Sequence, residues 1–423
     1  MQRTPMCNYC CSLAVLLTLV ACSGGGGDPD VGGVEATQAE FAETQLLVML
    51  SEPDEFEDDE SEAEDDFLED FGGLALERIG ATSFFVITIP AGQDPRAVLK
   101  ELDDDLRVVF TELDYVASAP VGGPSGSATL GSELLDLIST QPGLQPLALN
   151  LAHTRTRGAG VVVALIDSGI DFTNPYFAGR IAPGGRDFIG QDMDPTDERN
   201  FTDDDGDGLI DEGYGHGTFA ASLVLAVAPE ARVLPVRVLN DEGFGTASGV
   251  AAGIIWAVDQ GAHVINISID IPVESEIVKD AVKFAKERGI PVVAAAGNDT
   301  LTELRFPSRL DRVFAVASVD EQGRVAAFSN VGAKVDIAAP GVDLLGAVPL
   351  DLNPIGTARW SGTSFSAPIV AGSFALLRAA YPGEDAQALS RRLTSTAFDL
   401  GAVNPEQSEK LGAGLIQPAA ALE

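Results

Sequence analysis

From Val161 onward, short, continuously apolar runs alternate with longer stretches of helical spacing. The runs cover residues 161–166, 233–238, 264–269, 292–296, 313–318 and 335–337; the helical stretches cover 216–226, 248–260 and 274–288. A strand that is apolar at every position must be covered on both faces, which points to a parallel sheet between two helical layers. The pattern therefore predicts an α/β fold with a mostly parallel, doubly wound sheet and no internal repeat. Ligands of such sheets bind outside the carboxyl ends of the strands. The polar residues that directly follow the apolar runs are thus the ones to read for chemistry.

Four of them stand out. Asp167 ends the first run, in Val-Ala-Leu-Ile-Asp-Ser-Gly. His216 lies between Gly215 and Gly217 at the start of a helical stretch. Asn298 follows Gly297 at the end of the 292–296 run, and Ser364 sits in Gly-Thr-Ser-Phe-Ser-Ala-Pro before an apolar helix. A serine is a poor nucleophile at neutral pH until a base takes its proton. A carboxylate that accepts the ring N–H of that base fixes its tautomer. A helix start carries partial positive charge that favours an oxyanion. Taken singly, each residue has a plainer reading: Asp after a strand caps a turn, His between glycines is structural, Asn after Gly is a turn residue.

Their order along the chain, Asp then His then Ser, is one of the three known orders of the serine triad. With the motifs around them, it makes residues 149–420 similar to the subtilisin-like serine proteases, the subtilases. The resemblance implies a subtilisin-like α/β catalytic domain. It also implies a serine endopeptidase in which Asp167 orients His216, His216 activates Ser364, and Asn298 joins the Ser364 N–H in holding the oxyanion. Protein or peptide substrates would lie extended between residues 242–245 and 268–270, touching Phe244, Gly245, Ser268, Ile269, Asp270 and Gly297. Asp270-Ile271-Pro272 departs from the Gly-Gly found in most relatives. Asp270 would either narrow the pocket for the residue before the cut, disfavouring large apolar side chains and tolerating basic ones, or bend away into solvent. Phe219 and Phe365 are further departures, expected to be tolerated. His263 reads as a packing residue, and His153 lies upstream of the first strand. The alternatives are a subtilase fold kept for surface binding without catalysis, and a protease that acts only on its own propeptide.

Between Asp and His, the segment 203–212 reads Asp-Asp-Asp-Gly-Asp-Gly-Leu-Ile-Asp-Glu. Counted from Asp203, acids fall at the first, third, fifth and ninth places and Gly208 at the sixth, as in the first part of an EF-hand loop. The expected Ca2+ ligands are Asp203, Asp205, Asp207, Asp211 and the Leu209 carbonyl. Tyr214 stands at the twelfth place instead of a bidentate Glu, which argues against a full EF-hand; Glu212 is a substitute. An acidic surface loop without metal is the alternative. No organic cofactor is expected.

The formal net charge of −38 excludes attraction to nucleic acid through long-range charge. Thirteen of the twenty residues from Ser51 to Asp70 are acidic, too many to bury, so this run is expected to stay solvated. All four cysteines lie within the first 22 residues, so no disulfide can staple the globular part. Arg3 followed by the short apolar run 12–20 reads as an export signal, too short to span a bilayer. Its end, Leu-Val-Ala-Cys followed by Ser23 and four glycines, resembles a bacterial lipobox. That resemblance implies lipid on Cys22 and an extracytoplasmic, membrane-anchored location, at the outer membrane if the cell is Gram-negative. Residues 22–73 are read as a flexible tether with the acidic segment. A strand at 82–89, a helix from Pro95 capped by Asp94, and a strand at 107–113 resemble a subtilase propeptide, placed at 74–117. A Gly, Ser, Pro and Ala-rich linker at 118–132 is where it would be cut, leaving a catalytic domain at 133–423.

Overall fold

The computed structural model describes residues 41–50, 67, 75–79, 84–119, 129–130 and 135–423. The signal segment, Cys22, nearly all of the acidic run and most of the 118–132 linker lie outside these residues.

Seven parallel strands form the main sheet: β6 (Val162–Asp167), β7 (Arg186–Asp187), β8 (Arg232–Arg237), β10 (Val264–Ile267), β11 (Val292–Ala295), β12 (Phe314–Val319) and β13 (Ile337–Pro340), in the order β13-β12-β11-β10-β6-β8-β7. The short β5 (Thr129–Leu130) lies outside it and pairs with Ala358 and Arg359. Alternate residues of β6 feed two different cores, as the two-residue period of a strand requires. Val163 and Leu165 pack with α2 (His216–Val227) and α5 (Thr363–Ala380) on one face. Ala164 and Ile166 pack with α3 (Ala247–Asp259) and α4 (Glu276–Glu287) on the other. Helices on both faces explain why these strands are apolar at every position. From β6 the chain builds β7 and β8 on one side, then crosses to β10–β13 on the other. The strand order thus switches around β6, and Asp167 is at its carboxyl end. Phe398, in the segment after α6 (Ala386–Ser395), bridges Leu415, which in turn bridges Ala338 of β13. Among the described residues no helix is long and apolar enough to cross a membrane.

A second, antiparallel sheet has the order β2-β3-β1-β4-β9: β1 (Phe41–Leu50), β2 (Ala75–Arg78), β3 (Phe84–Thr88), β4 (Val108–Ser118) and β9 (Phe244–Thr246). This corrects the flexible tether expected over 22–73. Residues 41–50 form a central strand, paired with β3 through Gln45–Met49 and with β4 on its other side. The small domain cannot close its sheet without them. Leu46 and Val48 turn to the small domain's own core with Phe85, Ile87 and Leu102. Leu47 turns the opposite way, into the core formed by α3 and α4. The helix α1 (Pro95–Asp103) begins as its sequence implies, with Asp94 accepting from the Arg96 N–H at 3.0 Å and Pro95 in the first turn. β4 runs past the expected end at 113, as far as Ser118.

Candidate active site

Asp167 and His216 meet at the carboxyl end of β6. Their Oδ1 and Nδ1 atoms are 2.7 Å apart, and both side chains are shut off from solvent. The Ser168 N–H donates to the same Oδ1 at 2.8 Å. Because a carboxylate only accepts, this contact puts the proton on Nδ1 and leaves Nε2 as the basic nitrogen. His216 is the first residue of α2, and the glycine after it is needed for space. A Cβ on Gly217 would lie 2.3 Å from the Gly169 carbonyl oxygen, so only glycine lets the helix start approach the loop after Asp167.

Ser364 is the second residue of α5, and its side chain is buried. Its own carbonyl accepts from the Ser268 hydroxyl at 2.9 Å, which ties the helix start to the segment after β10. Ser364 Oγ and His216 Nε2 are both buried without a hydrogen-bond partner. The bond that a serine nucleophile would share with a histidine base is open in this structure, a common state of such sites before substrate closes them. Asn298 sits opposite. Its Oδ1 accepts from the Thr363 N–H and the Thr363 hydroxyl, both at 2.9 Å. That fixes which way the amide points and turns Nδ2 to the Gly362 side, 3.4 Å from where a Gly362 Cβ would stand.

Three supporting features were not read from the sequence. Asp197, in the long interval between Asp167 and His216, is buried and accepts from the Ser168 hydroxyl, the Gly215 N–H and the Thr218 hydroxyl at 2.7–3.2 Å. Burial, helped by the neighbouring Asp167, pushes its carboxyl up to about 7. It ties the loop after Asp167 to the start of the His216 helix. An Asp in an acid-rich loop gives no sequence signal that it turns inward. Phe365 packs against the His216 ring with centroids 5.2 Å apart, Phe219 packs against Phe365, and Trp360 stacks on Phe219 at 4.9 Å. The two expected-to-be-tolerated phenylalanines are therefore one apolar wall behind the imidazole. Gly346 makes room for it: a Cβ there would lie 2.6 Å from the Phe219 ring. The third feature is Arg305, whose Nε donates to Asp299 Oδ2 at 2.8 Å.

The cleft holds part of the chain itself. β4 lies antiparallel to β9, with Val116 opposite Thr246, Ala117 opposite Gly245 and Ser118 opposite Phe244. On its other side the Ser118 N–H donates to the Asp270 carbonyl at 2.9 Å and the Asp270 N–H returns a bond to Ser118 at 2.8 Å. The Ala119 N–H donates to Gly243 at 2.8 Å. Phe244, Gly245 and Asp270 thus pair with β4, a segment of this chain. Asp270 is half-buried: its Oδ1 is closed to solvent and has no partner, and burial pushes the carboxyl up to about 8. β4 is also held from outside the cleft. Asp114 accepts from the Ser248 N–H and hydroxyl at the start of α3, and Glu112 accepts from the Ser275 hydroxyl and the Glu276 N–H at the start of α4.

The expected calcium ligands divide. Asp203, Asp205 and Asp207 each bring an oxygen within 4.8 Å of the others. Asp211 is not with them; its carboxylate accepts from the N–H groups of Asn200 and Phe201 at 3.3 and 3.1 Å, which corrects that assignment. The backbone turns left-handed at Asp211, with φ 51°, and this aims its side chain back at residue 200. The Leu209 N–H donates to Asp207 Oδ1 at 2.8 Å, so the residue stays at the loop. Glu212 is not in that cluster; burial first, then a hydrogen bond with Glu242 and the nearby charge of Asp207, push it up to about 7. Tyr214, at the twelfth place, donates to Asp351 at 2.6 Å. The other histidines are structural: His153 Nε2 contacts the Val227 carbonyl at 2.8 Å, and His263 Nδ1 accepts from the Val162 N–H at 3.1 Å.

A profile of the subtilase family matches residues 158–414. Thermophilic serine proteinase of Bacillus sp. (strain AK1) is 34% identical over 324 residues, 72% of this chain and 73% of that protein. Thermitase of Thermoactinomyces vulgaris is 35% identical over 61% of this chain and 88% of its own length. Among solved structures, fervidolysin from Fervidobacterium pennivorans, described as a keratinolytic enzyme related to subtilisin, superposes with a TM-score of 0.72 at 26% identity. The match covers 92% of this chain and 62% of fervidolysin. The prenylagaramide maturation protease PagA gives a TM-score of 0.54 at 30% identity, over 65% of this chain and 96% of PagA.

Proposed function

The chain belongs to the subtilase family and is a serine endopeptidase, and from that premise we propose that it cuts peptide bonds through Asp167, His216 and Ser364. The observation that carries the assignment is the buried 2.7 Å contact between Asp167 and His216, which leaves Nε2 as the base. Ser364 Oγ attacks the substrate carbonyl carbon as its proton passes to Nε2. Asp167 stays ionised and stabilises the imidazolium so formed. The oxyanion of the tetrahedral intermediate takes hydrogen bonds from Asn298 Nδ2 and the Ser364 N–H. Collapse expels the amine, which receives the proton from His216, and leaves an acyl-enzyme on Ser364. Water, deprotonated by His216, then releases the acid.

The small domain ending in β4 is the propeptide in this reading, with residues 41–50 part of it. Its last strand occupies the groove as an extended substrate would, by strand addition. The protein is thus made as a zymogen whose own segment blocks the site until the linker is cut. Asp203, Asp205 and Asp207 would hold Ca2+, being a set of hard oxygen donors suited to that ion. Bound there, it would stiffen the loop that leads into His216. Signal cleavage before Cys22 and lipid on its thiol place the precursor at a membrane, outside the cytoplasm. A cut in the linker would free the catalytic domain from that tether.

A fluorophosphonate probe tests the assignment. It should label the activated wild-type protein and not Ser364→Ala, and intact mass of the native precursor should show acyl chains on Cys22. Labelling that persists in Ser364→Ala removes Ser364 as nucleophile, and an unmodified Cys22 removes the anchor.

A further inference from the structure

The space for the substrate residue that precedes the cut lies between the carboxyl ends of β10 and β11. The ladder in the cleft locates it. Ser118 pairs antiparallel with Asp270, two residues beyond Ser268, whose hydroxyl bonds the Ser364 carbonyl. The segment 304–306 closes the far side of this space and is stitched to both strand ends. The Arg305 N–H donates to Ala296 at 3.2 Å, and the Ile271 N–H donates to Phe306 at 2.9 Å. Arg305 therefore stands between the strand ends. Its stem presses on Gly297, where a Cβ would lie 2.8 Å from Arg305 Cγ. Its guanidinium is fixed by Asp299, the residue after Asn298, at 2.8 Å, and Asn330 Nδ2 reaches the same carboxylate oxygen at 3.4 Å. Asp270 forms the opposite wall, and its electrostatic neighbours are Asp299 and Arg305.

Building on the protease assignment, we propose that Arg305, clamped by Asp299 and faced by Asp270, is the specificity-determining residue of this enzyme: it fills the slot for the side chain before the cut and restricts that side chain to small residues such as Ala, Ser and Gly. A planar guanidinium held at a fixed hydrogen bond is a rigid obstruction, and ordering it has already cost its rotamer freedom. A large apolar side chain could enter only by breaking the ion pair and leaving charges against its own apolar surface. A lysine or arginine before the cut would meet a cation already in place, and the carboxyl of Asp270 is pushed up to about 8 by burial first and Asp299 second, so it offers little negative charge at neutral pH. The chain's own composition fits. From Ala117 to Ala128 every residue is Ala, Ser, Pro, Val or Gly, and no Lys or Arg occurs between Arg107 and Arg155. A self-cut in this region needs a slot that accepts small, uncharged residues.

Peptide anilides that differ only in the residue before the cut (Ala, Leu, Phe, Lys) test this on the activated protein. The wild type should favour Ala over Leu and Phe by about tenfold or more in kcat/KM, the scale on which pockets discriminate by size. In Arg305→Ala the Leu/Ala and Phe/Ala ratios should each rise about tenfold. Asp299→Ala, an exposed change that removes the acceptor holding the guanidinium, should raise them in the same direction. Fluorophosphonate labelling of each variant confirms that its nucleophile is intact. Wild type that prefers Phe, Leu or Lys overturns the proposal, and so do ratios unchanged in both variants while labelling persists. Absence of both labelling and hydrolysis in the wild type overturns the protease assignment itself, and this inference with it.

Discussion

In the proposed mechanism the oxyanion donor is where one atom's orientation decides a rate. The Asn298 amide has its oxygen committed to Thr363, so its Nδ2 is preset at no cost during the reaction. Removing the corresponding donor of a subtilisin costs about 10²–10³ in turnover. Asn298→Ala should do the same here, lowering kcat with little change in KM; a loss below about threefold in kcat would remove Asn298 from the oxyanion hole. Residue by residue, the proposed site was legible in the sequence because each group sits at or just beyond the end of a strand or at a helix start. The apolar wall of Phe219, Phe365 and Trp360 was not, because Phe219 lies far in sequence from the other two. Asp197 escaped for the opposite reason: many aspartates surround it, and only packing distinguishes the one that turns inward.

β4 joins two scales, since a single strand both fills the groove and caps two helices. Thr246 and Ser275 already cap α3 and α4 from within, and Asp114 and Glu112 add acceptors for the N–H groups of Ser248 and Glu276. Burial nevertheless outweighs these hydrogen bonds and raises both carboxyls to about 6. Their docked pKa values thus lie above the ordinary values of 4.5 and 3.8. Protonation therefore favours the docked state: the contribution is complete below about pH 4 and is lost as pH rises through about 6. Hydrogen exchange of β4 amides in full-length Ser364→Ala, corrected for intrinsic rates, should show opening about tenfold or more easier at pH 7 than at pH 4.5. Equal protection at the two pH values would contradict this balance. The sequence marks the strand but stops it short, at 113; β4 continues to Ser118 because the cleft supplies a ladder on each side.

At the scale of the whole molecule, stability rests on two cores on either face of the main sheet, with no disulfide available to the described domains. The Asp203–Asp205–Asp207 loop connects to this frame near His216. Stripping metal with EGTA should lower the melting temperature by several degrees and lower activity in parallel, with recovery on adding Ca2+ and a smaller response in Asp205→Asn. A chelator-insensitive melting curve in metal-stripped protein would leave the three aspartates as a solvated loop.

The periodicity of apolar runs, by itself, determined a two-faced parallel sheet, because only burial on both sides permits strands apolar at every position. The order of Asp167, His216 and Ser364 likewise determined the family, because each stands at the edge where such sheets place chemistry. Tertiary structure alone decided what surrounds them. It recruited residues 41–50 into the small sheet, where an isolated reading saw only a tether beside an acidic run. It turned Asp211 away from the other aspartates through one left-handed residue. It also made Arg305, thirty-five residues beyond Asp270 in sequence, a charged neighbour of that carboxyl. Such contacts depend on how far two strands extend and which way a loop folds back between them, and no local pattern of residues encodes that distance.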